Sequence, residues 1–363
     1  MHDHRKLGRD LEIFDTDPLI GAGLPYWLPA GAAIRHALEE YVRELERKAG
    51  DQHVYSPVLA KRELYEISGH WAHYRDGMYP PMEIGGEQVV LRPSLCPHHA
   101  LIYRSRGRSY RELPLRMAEL RGMHRSELSG VLGGLTRVRS IQLNDAHIFC
   151  APDQVAAILT DVLVGSGIDF DAEQGEAAFY GPKIDVQVAD SAERETTLST
   201  IQVDFYQPER FGLRYIGPDG GKHRPVMVHH SVIGSAERAV AHLIDVPGGA
   251  FPGGLAPVQL AVLPITEAEL PQAEAFARQA VEQRIRANIA GSEHGSLGAR
   301  IRAGRLVPYQ AIIGASEAAA GQVALRLRDG RKLAALAGGE VLDRIADLVN
   351  AYSTELWSIS TDP

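Results

Sequence analysis

The stretch "SIQLNDAHIFC", Ser140–Cys150, puts Asp145 two residues before His147 and then runs into Ile148 and Phe149. A carboxylate and an imidazole beside an apolar run are costly to bury unless something pairs with them. Two readings follow from these residues. One is a strand entered through a polar turn; the other is the floor of a pocket that holds a metal ion and a small polar substrate. On this stretch alone the structural reading is the simpler, because single histidines near apolar runs usually serve packing. The surrounding sequence has to decide.

Upstream, "LSGVLGGL" (residues 128–135) carries glycines suited to a loop joining two antiparallel strands. Downstream, a helix is expected from Pro152 to about Gly165, followed by strands around "GPKIDVQVAD" and "LSTIQVDF". Nearer the N-terminus, Ile34, Leu38, Tyr41, Val42 and Leu45 share one helical face, which Gly50 ends. Short strand-like pieces, "HVYSPVL" and "QVVLRPS", come next. The Pro- and Gly-dense segment "DVPGGAFPGGLAP" (245–257) breaks helix and strand alike and divides the chain into domains at 1–250 and 256–363. Beyond it, "VQLAVLPI" and "YQAIIGA" read as buried strands and "EAELPQAEAFARQAVEQRI" as a helix. "QVALRLRDGRKLAAL" reads as a hairpin turning at Asp329 and Gly330, and "GEVLDRIADLVNAYSTELW" as an amphipathic helix. Alternating strands and helices predict a compact α/β second domain.

With 363 residues, 45% hydrophobic and 23% charged, the chain can bury a large core in two domains. No apolar run has the length needed to cross a bilayer, and the opening "MHDHRKLGRDLEIF" lacks the layout of a signal peptide, so a cytoplasmic chain with no membrane contact is expected. Cys96 and Cys150 cannot form a disulfide framework and are left for metal binding or packing. A net charge of −8 argues against nonspecific coating of nucleic acid, DNA included. Locally the balance reverses: between Arg104 and Arg139 nine arginines face three acidic residues, and between Arg278 and Lys332 ten basic residues face four acidic ones. The guanidinium fork binds phosphate or carboxylate at two points, so these runs are candidate anion contacts, or else solvated faces.

The order of the pieces says more than any one of them. "GHWAHYRDGMY", "RPSLCPHHALIYRSRGRSYRELPLRMAE", "HRSE", "GLTRVRS", "NDAHIFC", "AFYGPKID", "IQVDF", "PVMVHHSVIGSAERAV" and "GGLAPVQLAVLPI" resemble, in this order, the core of the threonyl-tRNA synthetases, a class II aminoacyl-tRNA synthetase family. The likeness runs from His2 to about Leu348. It implies an α+β fold: a six- or seven-stranded antiparallel sheet flanked by helices, which binds ATP, followed by a smaller α/β anticodon-binding domain. It also implies a homodimer whose interface uses the first helix and a strand carrying Pro57.

The same resemblance implies site residues. The family's zinc ligands fall on Cys96, His147 and His229, and three protein ligands leave coordination positions open, as catalytic zinc sites do. Asp145 matches the residue that accepts a hydrogen bond from the threonine hydroxyl. Tyr180, Lys183 and Gln202 match residues lining the amino-acid and adenylate pocket. Arg125 matches the arginine bridging α-phosphate and carboxylate, Glu127 the reader of the adenine amino group, and Arg137 the holder of the γ-phosphate. Arg238 matches the arginine over adenine and phosphates, and Ile141 stands where the family stacks a phenylalanine on adenine. Mg²⁺ accompanies the nucleotide. His70 matches a residue near the terminal ribose of tRNA that assists acyl transfer, and Glu317 and Arg326 match positions that read the anticodon of tRNA(Thr).

The pattern breaks at several places. The family usually carries two further N-terminal domains, one of which removes misattached serine. A chain starting at the core is therefore expected to mischarge some serine, since one methyl group is worth only about 1–3 kcal/mol of discrimination. Leu143 replaces a glutamine, Asn144 an aspartate, Ser199 a glycine and Gly133 a histidine. The resemblance thus implies a threonine-tRNA ligase without editing in the same chain. The alternatives are a specialised relative that adenylates threonine or a similar amino acid for a carrier protein or small molecule, an inhibitor-resistant duplicate, or a non-catalytic RNA-binding relative.

Overall fold

The computed structural model describes residues 3–165, 181–189, 193 and 195–357. The chain forms two compact units, one of residues 16–25 and 39–242, the other of residues 1–15, 26–38 and 243–363. Among the described residues no helix is long and apolar enough to cross a membrane.

The first unit is organised by a six-stranded sheet in the order Gln52–His53, Leu115–His124, Ser140–Cys150, Val226–His230, Glu195–Asp204, Lys183–Ala189. Every pair is antiparallel except the short edge pair, where Gln52–His53 runs parallel to Leu115–His124. The expected antiparallel sheet is therefore present with one parallel edge. The glycine-rich loop joins two antiparallel strands, Leu115–His124 and Ser140–Cys150, as predicted. Pro57, expected in a strand, instead lies in the irregular link between Gln52–His53 and Leu59–Lys61. Its carbonyl, with that of Ser56, accepts from the buried Arg92 guanidinium, so this link is held by side-chain donors in place of a ladder.

Side chains alternate across a strand. On one face of Ser140–Cys150, Ile148 and Cys150 pack with Val203, Val226 and Val228 into an apolar cluster, flanked by Val155, Ile158 and Leu159 from the helix Val155–Gly165. That packing explains why the segment from Pro152 onward is helical with an apolar stripe. The opposite face carries Ile141, Leu143, Asp145, His147 and Phe149, and it ends on the helix Cys96–Arg104, where the Phe149 and Tyr103 rings stack at 4.5 Å.

The second unit has a five-stranded sheet in the order Ala287–Ile289, Leu260–Pro264, Tyr309–Ile313, Gln322–Leu327, Leu336–Ala337. The first three strands are parallel and the last two pair antiparallel. Leu260–Pro264 is buried along its whole length, as its uninterrupted apolar run predicts. Phe276 and Ala280 from Leu270–Glu282, with Val341, Leu342 and Ile345 from Gly338–Asn350, complete this core. The predicted turn at Asp329 and Gly330 is present: Gly330 has φ +96°, and Arg326 bridges to Lys332 across it. A side chain at that φ would be strained, which explains the glycine.

Phe149 is fully buried between the sheet and Tyr103. Phe149→Ala should remove about 3–5 kcal/mol of stability. In denaturant unfolding this appears as a lower midpoint at unchanged slope; a shift under about 1 kcal/mol would mean the stacked pair does not anchor the sheet to its helix.

Candidate active site

Strand register assembles the site. His147 lies directly opposite His229 on one side and Met117 on the other, and Gln202 lies opposite His229 on the next strand. Asp145, two residues before His147, shares its face and lies opposite Glu119. One face of four neighbouring strands therefore carries Glu119, Asp145, His147, His229, Gln202 and Asp204. The helix Cys96–Arg104 supplies Cys96 from its first turn, where Pro97 fits without losing a needed N–H.

The ligand atoms of Cys96, His147 and His229 lie within 4.8 Å of one another, and all three residues are buried. A tetrahedral zinc ion with bonds of about 2.0–2.3 Å needs its donors roughly 3.3–3.6 Å apart. A thiol and two imidazoles already gathered to that scale suit Zn²⁺ and leave one position open, so the residues fit the metal. His147 Nε2 is 3.0 Å from His229 Nδ1, and Asp145 Oδ1 is 3.8 Å from His147 Nε2. Burial, followed by the neighbouring His229, His99 and His230, holds the His147 imidazole well below its usual pKa and so keeps it neutral, the form that ligates metal. Burial, then the Asp145 carboxylate, pushes the Cys96 thiol up to about 12, so metal binding displaces a proton here. Burial also raises Asp145, against the pull of His229, His99 and His230.

Around these groups is a ring of partners that the sequence reading did not single out. His99 Nδ1 is 2.7 Å from His147 Nδ1, and His99 Nε2 is 3.4 Å from Glu119 Oε2. His229 Nε2 is 3.0 Å from Asp204 Oδ2. Nothing in the spacing of "CPHHA", "MAELR" or "IQVDF" reveals these contacts, which arise from sheet register. His70, predicted from "SGHW", is held by the hydroxyls of Ser68 at 2.8 Å and Ser94 at 2.9 Å, and its Nε2 is 3.8 Å from Cys96 Sγ. Burial lowers its pKa to about 4, which keeps it uncharged.

Cys96, His70, Asp145, Gln202 and His229 line a cavity of about 710 Å³ that continues past Ile141 and Leu143 to Arg125, Glu127, Arg137 and Arg238. The far end is cationic. Arg238, half-buried, donates to the Thr197 carbonyl at 2.8 Å, and burial followed by repulsion from Arg125 and Arg137 lowers its pKa. Three guanidinium groups that repel one another across a pocket form an anion site. Arg137 also pairs with Glu127 at 2.9 Å, so these two predicted nucleotide contacts touch each other. Lys183 donates to Asp185 at 2.7 Å and does not line the cavity. Tyr180 lies outside the described residues.

In the second unit, Arg326 lies on Gln322–Leu327 opposite Gln310, and Glu317 accepts from the Gly314 N–H at 3.1 Å at the start of Ala315–Ala320. Burial of the surrounding donors is not needed to hold Glu317: its backbone and Ser316 contacts keep its pKa below the usual carboxylate value.

Comparison with known proteins places this geometry. Residues 82–246 match the tRNA synthetase class II core domain (G, H, P, S and T), and residues 259–348 match the anticodon binding domain. The threonine–tRNA ligase of Geobacillus kaustophilus is 41% identical, over 98% of this chain and 62% of the relative. Threonine–tRNA ligase 1 of Bacillus subtilis is 43% identical, over 89% of this chain and 58% of the relative. The chain thus spans about three fifths of the length of these curated relatives. The crystal structure of the RNA binding domain of threonyl-tRNA synthetase from Cryptosporidium parvum superimposes with a TM-score of 0.91 at 30% identity, covering 96% of this chain and 98% of that one. On the sheet that carries the site, the domain matches and these likenesses, the chain belongs to the threonyl-tRNA synthetase family of class II aminoacyl-tRNA synthetases.

Proposed function

We propose that this chain activates L-threonine with ATP to threonyl-adenylate and transfers it to tRNA(Thr). The observation that carries the proposal is the placement of Cys96, His147 and His229 beside Asp145 at one end of a cavity whose other end holds Arg125, Arg137 and Arg238. A site for a small hydroxylated amino acid and a site for a triphosphate then share one cavity.

Zn²⁺ held by Cys96, His147 and His229 would supply a Lewis acid for the polar groups of threonine. Asp145 accepts the hydroxyl's hydrogen bond, and Gln202 lines the same end. Valine, which lacks the hydroxyl, would leave Asp145 without the hydrogen bond that the threonine hydroxyl donates, so the site rejects it by mismatch and not by size. In activation a threonine carboxylate oxygen bonds to the α-phosphorus and the bond to the departing pyrophosphate breaks. Arg125, which lines the cavity, spans carboxylate and α-phosphate in this reading, Arg238 covers adenine and phosphates, and Arg137 takes the γ-phosphate; together they offset charge growing on the phosphoryl oxygens. Glu127 reads the adenine amino group, Ile141 gives the ring an apolar neighbour, and Mg²⁺ accompanies the phosphates. His70, fixed by two hydroxyls, serves the acyl-transfer end.

We assign catalysis to residues 1–250 and tRNA reading to residues 256–363, with Glu317 and Arg326 at anticodon bases. A homodimer is favoured by Tyr55, Val58, Leu59, Met82 and Ile84, apolar side chains that remain 37–69% exposed around the three-stranded sheet beside the Pro57 link. Two buried free cysteines accord with a cytoplasmic protein.

An amino-acid panel in ATP–pyrophosphate exchange, repeated as tRNA acylation, tests the proposal. Threonine should exceed valine by about 10⁴-fold or more and serine by only about 10–200-fold. Threonine-dependent exchange without acylation would point instead to a specialised adenylating relative; no exchange with threonine would end the proposal. Arg125→Ala should lower kcat/KM for activation by about 10²–10³-fold. Purified chain should carry one zinc per molecule, and Cys96→Ser should lose most of it while far-UV circular dichroism is preserved; a Cys96→Ser variant with full zinc content would remove Cys96 from the ligand set.

A further inference from the structure

We infer that His99, Glu119 and Asp204 are positioning residues that select which ring nitrogen of each ligand histidine faces the metal: Nε2 of His147 and Nδ1 of His229. The inference rests on the zinc reading above and deepens it. A neutral imidazole has one N–H and one lone pair, and an ionised carboxylate can only accept. Asp204 Oδ2 at 3.0 Å therefore puts the His229 proton on Nε2, leaving the Nδ1 lone pair directed toward His147. Glu119 Oε2 likewise puts the His99 proton on Nε2, so His99 Nδ1 is an acceptor. At 2.7 Å that acceptor requires the His147 proton on Nδ1, which leaves Nε2 for the ion. The result is an ordered chain, Glu119 to His99 to His147, matched by the shorter Asp204 to His229.

Both carboxylates are themselves fixed. Glu119 accepts from the Ser56 N–H at 3.0 Å, from the Ser56 hydroxyl at 2.7 Å and from Arg92 at 3.4 Å. Asp204 accepts from the N–H groups of Tyr206 at 2.8 Å and Gln207 at 2.9 Å, and from the Gln207 side chain at 2.9 Å. Held by these donors, neither can turn away, and each fixes the orientation of the imidazole it accepts from. Arg92 also holds the Ser56 and Pro57 carbonyls, so the His147 side of the site is tied to the Pro57 link through a continuous set of hydrogen bonds.

Zn²⁺ affinity of the full chain, measured by competition with a chromophoric chelator, and the visible spectrum of its Co²⁺ form decide the matter without reference to activity. Glu119→Gln and Asp204→Asn should each weaken Zn²⁺ about 10–100-fold. His99→Leu should do the same, whereas His99→Asn, whose Oδ1 can occupy the place of Nδ1 and accept from His147, should recover to within a few-fold of the unmodified chain and keep its Co²⁺ spectrum. Equal weakening in His99→Leu and His99→Asn would reduce His99 to packing and overturn the inference, and the His99 pair decides it even if Glu119→Gln does not fold. Unchanged affinity in all four variants overturns the inference alone; an unmodified chain that binds no Zn²⁺ overturns the zinc reading with it.

Discussion

The cross-strand meeting of His147 and His229 is the constraint on which the rest depends. A side chain's face is set by strand register, and a slip of one residue would turn every group on Ser140–Cys150 to the opposite face. What prevents the slip is the side away from the site. Ile148, Cys150, Val203, Val226 and Val228 must all face the helix Val155–Gly165 to be buried, and a one-residue slip would place those of the shifted strand against the cavity. The apolar face thus fixes the polar one, and hydrophobic burial, which is nondirectional, is converted into sub-ångström placement of imidazoles by the ladder between the strands.

That placement has an electrostatic consequence. Glu119 and Asp145 are direct cross-strand partners, an arrangement that destabilises a sheet when both are charged and uncompensated. Here they are separated by role. Glu119 is turned to Arg92, Ser56 and His99, while Asp145 faces the cavity among His229, His99 and His230. With Asp204 behind His229, three carboxylates serve one face of the sheet, and the groups beside them are Arg92, imidazoles, and the Ser56, Tyr206 and Gln207 donors. Glu119 and Asp204 are buried at the cost of dedicated donors, Ser56 and Arg92 for the one and the Tyr206 and Gln207 N–H groups for the other, which is how burial of these acids is compatible with folding.

Much of this was legible in the sequence, though unevenly. Elements with long, single-period patterns, such as Pro29–Lys48, Leu260–Pro264 and Gly338–Asn350, stand where their periodicity puts them. The cluster of Cys96, His147 and His229 could be expected only because nine fragments resemble one family in order, since the three are separated by spacings that carry no local signal. His99, Glu119 and Asp204 were not legible because a residue's partner across a sheet depends on register, which no short window encodes. The arginine-rich runs were misleading in bulk. Of the nine arginines from Arg104 to Arg139, Arg125 and Arg137 line the cavity, while Arg104 donates to the Phe211 carbonyl, Arg108 to that of Tyr103 and Arg139 to those of Glu127 and Ala22. In the second run Arg300 reaches four carbonyls, those of Pro264, Ile265, Ala290 and Gly295. Arginine is frequent there largely because one guanidinium can satisfy several buried loop carbonyls at once, a demand as local as phosphate binding and invisible to a charge count.

The departures from the family pattern separate along the same two faces. Ile141, Leu143 and Ser199 line the cavity, so changes there bear on what the cavity holds. Asn144 points the other way and is fully buried: its side-chain N–H donates to Glu46 at 2.5 Å, and its side-chain carbonyl accepts from the Val232 N–H at 2.6 Å. An aspartate at this position could accept from Val232 but would set a second carboxylate against Glu46, whose other oxygen is already 2.7 Å from His53. Asparagine supplies the donor that Glu46 lacks, and the pair closes without an uncompensated charge. The change at 144 is therefore answered within the core by Glu46 and His53, whereas the change two residues from Asp145, at Leu143, sets an apolar side chain in the cavity itself. Under the proposed function, selectivity would rest more heavily on Asp145 and on Cys96, His147 and His229 than in a pocket with a glutamine at 143.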